Sequence, residues 1–221
     1  MPKILRFAIL ACLIAISVAG WAQSGKVESL GPLTESKVPE AVRKVLDNKG
    51  YRIALADGSV ACEIWLRRTV PARTSKEDVP GAIYPQLAES TLLGVISFPQ
   101  AATDYRGQAV PSGSYTLRYE LLPDDGNHLG VAPNRDFLLL VPAAADANPD
   151  AVYKFDPLVD LSRQTSSSKH PAPLSMVQVA SGAQPSVSKD EEGHWIFSAA
   201  LTMSSGEAVP FGLVVKGTAP Q

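Results

Sequence analysis

Apolar and polar side chains alternate along several stretches of the chain, and this period of two is typical of β-strands with one buried face. The clearest example covers residues 115–121, where tyrosine and leucine alternate with Thr116, Arg118 and Glu120. Residues 51–55 and 60–66 alternate in the same way and flank Asp57-Gly58, a strong hairpin signal. We predict further strands over residues 92–98, 137–141, 174–179, 195–203 and 209–215.

Two short segments have the period of a helix. Pro39 suits a first helical turn and precedes a stripe of valines, and Asp156 with Pro157 predicts a second helix that runs to about Arg163. Many strands and few helices predict a mainly β protein, an antiparallel β-sandwich of about eight strands with two short helices. Residues 38–221 are interpreted as a single domain. A subdivision near residues 143–150, which are rich in alanine, aspartate and proline, stays open because strands lie on both sides.

The N-terminal pattern is that of a secretory signal peptide. Lys3 and Arg6 precede an apolar run over residues 7–19, and the small residues Gly20 and Ala22 suit a cleavage point. The run is shorter than the roughly 20 residues that span a bilayer. We therefore expect cleavage after residue 22, a flexible lead-in over residues 23–37, and a periplasmic or secreted protein without a membrane span.

Charge and cysteine content narrow the possibilities. The whole chain has 20 basic and 22 acidic residues, and removal of residues 1–22 takes away two basic and no acidic ones. A nucleic-acid-binding surface needs a stripe of basic residues, and this charge balance does not favour one, so we expect no nucleic-acid partner. Cys12 lies in the predicted signal, which leaves Cys62 as the single cysteine and excludes an intrachain disulfide. Cys62 belongs to the apolar set of its strand, and we expect a buried, inert thiol.

The loop over residues 123–136 carries the most varied polar chemistry. Its candidate ligand-binding residues are Asp124, Asp125, Asn127, His128, Arg135 and Asp136. A calcium loop needs several such oxygens, although the spacing does not match an EF-hand and Asp-Gly-Asn is common turn chemistry. The alternatives are a structural loop and a loop that contacts a ligand. Zinc would need more ligands to converge on His128, and the spacing shows no such set. We therefore predict no cofactor, with calcium as the alternative.

Trp65 and two glutamates are the other candidates for a site. Trp65 lies between Glu63 and Arg67 on the polar face of its strand. It could be an exposed stacking platform for a sugar, or a side chain covered by the first helix or by residues 70–89. Glu63 and Glu120 could be the two carboxylates of a glycosidase. The alternative is that arginines such as Arg52 and Arg118 pair with them on a solvated face.

One segment resembles a known class of proteins. Val110-Pro-Ser-Gly-Ser-Tyr-Thr-Leu, followed by Asp124-Asp-Gly-Asn-His-Leu-Gly and Arg135-Asp-Phe-Leu-Leu-Leu-Val-Pro, resembles secreted bacterial β-sandwich proteins of the prealbumin-like and carbohydrate-binding-like kind. The resemblance covers about residues 104–146. It implies a sandwich fold and an exported protein, and it implies no catalytic residues.

These observations favour two classes of function. The first is a non-enzymatic binding or structural protein of the cell envelope, whose partner is an envelope protein or a glycan. The alternative is a secreted hydrolase of glycans or esters, with Asp124, Asp125, His128 or Glu120 in its site. Nucleophilic catalysis has little support, because the chain has no Gly-x-Ser-x-Gly motif. The Ser-x-x-Lys match at residues 166–169 lies in a polar loop, so we interpret it as a coincidence and not as a catalytic motif.

Overall fold

A computed structural model describes residues 24–75, 79–123, 134–166, 168–180 and 184–220. Two α-helices are described, α1 (Glu40–Val45) and α2 (Phe155–Arg163), together with a 3-10 turn at Ala143–Ala145. The strands are β1 (Lys26–Leu30), β2 (Gly50–Ala54), β3 (Val60–Leu66), β4 (Leu92–Phe98), β5 (Ala102–Thr103), β6 (Ala109–Val110), β7 (Gly113–Leu121), β8 (Asp136–Pro142), β9 (Pro173–Val177), β10 (Ser186–Lys189), β11 (Trp195–Thr202) and β12 (Ala208–Lys216). The protein is therefore mainly β, as the alternation predicts.

Ten of these described strands form one antiparallel sheet, which is nearly barrel-shaped. The strand order is β1-β2-β3-β4-β7-β8-β9-β12-β11-β10, and β5 pairs separately with β6. The two edges of the sheet approach each other closely: a Cβ added at Gly25 would lie 2.7 Å from Cγ1 of Val187 on β10. The sandwich of about eight strands is not confirmed, because the strands continue from neighbour to neighbour around one curved sheet.

The interior of the sheet holds the main hydrophobic core. Alternate residues of β7, among them Leu117 and Tyr119, point inward, and Phe197 and Phe211 meet them from β11 and β12. Strands before and after residues 143–150 contribute to this one core. Cys62 is fully buried there, as its place in the apolar set predicts. Burial raises the pKa of the Cys62 thiol far above its ordinary value, so the side chain stays protonated.

The two helices cover separate parts of the outer face. Val42 of α1 packs with Trp65 and Leu92. Leu158 and Val159 of α2 pack on Phe137 and on the outward-facing Leu139 and Val141 of β8. The outer face of the sheet therefore carries apolar residues where the two helices lie over it.

Several predicted boundaries need correction. The flexible lead-in contains a strand, β1, which pairs with β2 over the whole of residues 26–30. The second helix begins at Phe155 with Lys154 at the N-cap and no side-chain cap bond, so Asp156 is not its N-cap. The predicted signal peptide, residues 1–22, lies outside the described residues. No helix among the residues that the structure describes is both long and apolar enough to cross a membrane.

Candidate functional site

A cleft of about 240 Å³ lies on the outer face of the sheet, beside α2. Its wall is built from α2, from β8 and β9, and from the chain just before β9 and just after β5. The lining residues are Tyr105, Arg106, Leu122, Pro123, Phe137, Phe155, Val159, Arg163, His170, Pro171, Pro173 and Ser175. Most of these side chains are apolar, which is the usual composition of a small-molecule site.

The sequence of α2 explains how one wall of the cleft forms. Phe155, Val159 and Arg163 are spaced by four residues, so they lie along one stripe of the helix. Val159 is almost completely buried, whereas Phe155 is 38% exposed and is one of the two large hydrophobic side chains that the described surface exposes. The stripe therefore presents two apolar side chains to the cleft and ends in a guanidinium group.

The sheet supplies the floor of the cleft. Phe137 of β8 points outward, and its partner in the neighbouring strand is Ser175 of β9. Pro173 lies two residues before Ser175 and therefore faces the same side. Leu122 and Pro123, the last described residues before position 124, complete the floor at its edge. The cleft therefore adjoins the start of the polar loop that the sequence singles out.

The rim of the cleft is basic. Arg106, Arg163 and His170 are all exposed and line it, and no described residue of the lining is acidic. Arg163 also forms an exposed ion pair with Asp160 one turn earlier in α2, a contact that contributes little to stability. The site thus combines an apolar floor with cationic groups at its mouth.

Asp136 and Arg135, two of the predicted ligand-binding residues, make structural contacts within the protein. The carboxylate of Asp136 is fully buried and accepts hydrogen bonds from the backbone N–H groups of Ile83 and Tyr84 and from the hydroxyl of Tyr119. Arg135 donates to the carbonyl oxygens of Leu122 and Pro80. Asp124, Asp125, Asn127 and His128 lie outside the described residues, so their ligand-binding and catalytic roles stay predictions, as does the calcium site.

Trp65 does not form an exposed platform. Its side chain is only 5% exposed, and its indole N–H donates to the carbonyl oxygen of Gly31 at 2.9 Å. Val38 and Val42 from the α1 region pack against it. Of the two alternatives for this residue, the structure shows the covered side chain. The first helix covers it, and so does the chain that precedes that helix.

The two glutamates have different surroundings. Glu63 pairs with Arg52 at 2.7 Å, as one of the two alternatives predicts. Glu120 is buried, and the expected arginine partner, Arg118, instead pairs with Asp146. Burial raises the pKa of Glu120 to about 8; the nearby Glu89 also raises it, whereas the backbone N–H of Leu121 lowers it. Neither glutamate lines the cleft beside α2, and a paired-carboxylate role for them stays a prediction.

Sequence reasoning missed most of the cleft. The spacing of Phe155, Val159 and Arg163 was the one local signal that could have revealed it. Tyr105, Arg106 and His170 come from positions about 65 residues apart, and only the folded sheet brings them together. Comparisons of the chain with models of known families, with curated proteins and with solved structures found no match.

Proposed function

We propose that this protein is an exported, non-enzymatic binding protein that holds a small amphiphilic anion in the cleft beside α2. The ligand class is a carboxylate or similar anion that carries an apolar tail. The observation that supports this proposal is the pairing of an apolar floor, formed by Phe137, Phe155 and Val159, with basic side chains at the mouth. The function requires binding alone and no covalent chemistry.

The size of the cleft limits the ligand. A volume of about 240 Å³ holds roughly eight water-sized groups, because a water takes about 30 Å³ in the liquid. An eight-carbon chain or a single aromatic ring is therefore the appropriate scale. The partly exposed Phe155 offers an aromatic face to such a tail, and burial of that face would contribute to affinity.

The charge at the mouth selects the head group. Guanidinium groups match the planar, two-oxygen geometry of a carboxylate, and Arg106 and Arg163 both reach the cleft. A neutral head group of the same size would not form hydrogen bonds of this strength with the two guanidinium groups. We therefore expect an anionic ligand to bind about tenfold more tightly than a neutral one with the same tail.

Export is supported by the sequence. Residues 1–22 have the basic start, apolar run and small residues of a signal peptide, and residues 104–146 resemble secreted β-sandwich proteins. We propose that the protein acts in the periplasm or outside the cell. A site that binds carboxylates with apolar tails from dilute aqueous solution suits this location.

Titration of the purified protein with octanoate, followed by calorimetry, tests the proposal. Heptyl glucoside, which has the same seven-carbon tail and a neutral sugar head, is the comparison ligand and also probes the predicted glycan partner. We expect saturable binding of octanoate with one site. Arg163→Gln should weaken it about 3- to 10-fold, because one charge-assisted contact at an exposed rim is lost.

Lys169→Gln is the matched control. Lys169 is an exposed cation next to His170 that does not line the cleft, so its loss changes the net charge equally and should leave the octanoate affinity unchanged. Equal weakening by both variants would show a general charge effect and would refute the proposed site. Tighter binding of heptyl glucoside than of octanoate would refute the anionic ligand and favour a glycan partner.

A further inference from the structure

Three potential metal ligands meet at the turn between β10 and β11. Asp190, Glu192 and His194 each offer one ligand atom, and these atoms lie within 4.8 Å of one another. Nδ1 of His194 is 3.1 Å from Oδ2 of Asp190 and 3.7 Å from Oε2 of Glu192. The three residues alternate along the turn, so a short piece of chain supplies the whole set.

The turn that carries these residues is held by its own hydrogen bonds. The backbone N–H of His194 donates to Oδ1 of Asp190 at 2.7 Å, and the N–H of Asp190 donates to the carbonyl oxygen of His194 at 3.0 Å. Gly193 has a φ of +89°, a conformation that favours glycine. Oδ2 of Asp190 is thereby directed at the imidazole ring before any ion binds.

A contact outside the turn holds the second ring nitrogen of His194. Nε2 lies 3.0 Å from the carbonyl oxygen of Thr218. A carbonyl oxygen can only accept, so this contact suits a ring that carries its proton on Nε2. In that tautomer the lone pair of Nδ1 points toward the two carboxylates, as the lone pair of a metal ligand would.

The ring has little freedom to escape this arrangement. His194 is only 9% exposed, and its ring packs against Tyr105 with 5.7 Å between centroids. The backbone of Gly217 lies so close that a Cβ at this position would overlap the imidazole. The ring therefore holds Nδ1 directed at the two carboxylates.

We propose that Asp190, Glu192 and His194 bind a divalent transition-metal ion, for which Zn²⁺ is the best match. Zinc bonds of about 2.0–2.2 Å in tetrahedral geometry place neighbouring ligand atoms roughly 3.4 Å apart, and the two distances from Nδ1 of 3.1 and 3.7 Å lie on either side of this value. A histidine that donates its other ring N–H to a backbone carbonyl is typical of metal ligands. The side chain of Glu192 is 73% exposed, so solvent can reach the fourth position.

Zinc titration of the untagged, EDTA-treated full chain at pH 7.5 tests this site. We expect one saturable equivalent of Zn²⁺ by calorimetry, with a change in the ¹⁵N shift of Nδ1 of His194 while Nε2 keeps its proton. Glu192→Gln removes an exposed ligand with little risk to folding, and Asp190→Asn removes a second. Each should weaken zinc binding at least about tenfold.

Glu191→Gln is the matched control, because Glu191 is an exposed acid in the same turn that does not belong to the cluster. It should change zinc affinity less than about twofold. Equal loss in Glu191→Gln and Glu192→Gln would show diffuse attraction of a cation to the acidic turn and would overturn the proposal. Absence of saturable binding, with Nδ1 protonated, would assign the position to a proton and would overturn it as well.

Discussion

Arg118 and Asp146 form a fully buried, bidentate ion pair. Nε and Nη2 of Arg118 donate to the two carboxylate oxygens at 2.8 and 2.7 Å, and neither side chain has exposed surface. The other three N–H groups of Arg118 donate to the carbonyl oxygens of Ser90, Asn148 and Ala151. All five donors of this guanidinium are thus satisfied, and they fasten the segment before α2 to the outer face of β7. The pair therefore positions the helix that forms one wall of the cleft.

Removal of the charge on Asp146 should destabilise the protein severely. Asp146→Asn leaves the guanidinium of Arg118 buried without a counter-ion, so we expect the free energy of unfolding to fall by about 3–5 kcal/mol. Urea titration measures the change. The double variant Arg118→Met with Asp146→Leu is the control, because it removes both charges; it should recover part of the loss, since the carbonyl oxygens of Ser90, Asn148 and Ala151 lose their donor. A loss below about 1 kcal/mol in the single variant would contradict the structural role assigned to the pair.

Asp136 should control the mobility of the segment around Tyr84. Its carboxylate accepts the backbone N–H groups of Ile83 and Tyr84 at 2.8 and 2.9 Å, and Asp136→Asn halves the number of acceptor oxygens. We expect the amide hydrogens of residues 83 and 84 to exchange at least tenfold faster in the variant, since a charge-assisted hydrogen bond contributes about 1.5–3 kcal/mol. Amides of β11 serve as the internal reference. Equal acceleration in both places would indicate global unfolding and would contradict a local role.

The buried Glu120 should make stability depend on pH. Burial raises the pKa of Glu120 to about 8 from an ordinary value of 4.5. Between these two values the folded state binds more protons than the unfolded state, so the contribution of Glu120 to stability falls as the pH rises from about 4.5 to 8. Glu120→Gln is neutral throughout, and we expect it to be more stable than the natural protein at pH 9 by up to a few kcal/mol. Denaturant titrations at pH 5 and pH 9 measure this difference, and a variant that shows the same pH dependence as the natural protein would contradict it.

Cys62 should be unreactive in the folded protein. It is fully buried, and burial raises the pKa of its thiol, so both access and thiolate formation are suppressed. We expect labelling by a thiol-specific reagent at pH 8 to occur only through unfolding, and its rate to rise with urea. The same protein in 8 M urea should label at once and serves as the control. Rapid labelling without denaturant would show that the interior of the sheet opens at this strand.

The sequence predicted the strands better than it predicted their assembly. The residues of β4 match the predicted strand completely, because alternation and continuous apolar runs are local properties. β1 and β10 were missed, since edge strands such as these carry polar residues on most positions and lack the pattern. Whether strands form two facing sheets or one curved sheet depends on which strands become neighbours, and the pairing of β9 with β12 joins segments 30 residues or more apart.

The candidate site was hardly predictable for a related reason. The polar residues at positions 123–136 predicted a ligand-binding loop, yet Asp136 of this loop makes buried structural contacts. Phe137 belongs to a predicted strand, and Phe155 precedes the predicted helix, so neither residue indicates a cleft by its local sequence. The 38% exposure of Phe155 follows from how α2 lies over β8 and β9, and the ion pair of Arg118 with Asp146, across 28 residues, contributes to that placement.

If the cleft beside α2 binds an amphiphilic anion, intermolecular nuclear Overhauser effects will report the contact between the two molecules. Protein with ¹³C-labelled valine and leucine methyl groups would be mixed with unlabelled octanoate. We expect contacts from the octanoate chain to the methyl groups of Val159 and Leu122, which line the cleft, and none to those of Val42, which lies on the buried side of α1. Octanoate contacts with Val42, or saturable binding without any contact to Val159, would show that the anion binds outside this cleft and would refute the proposed site.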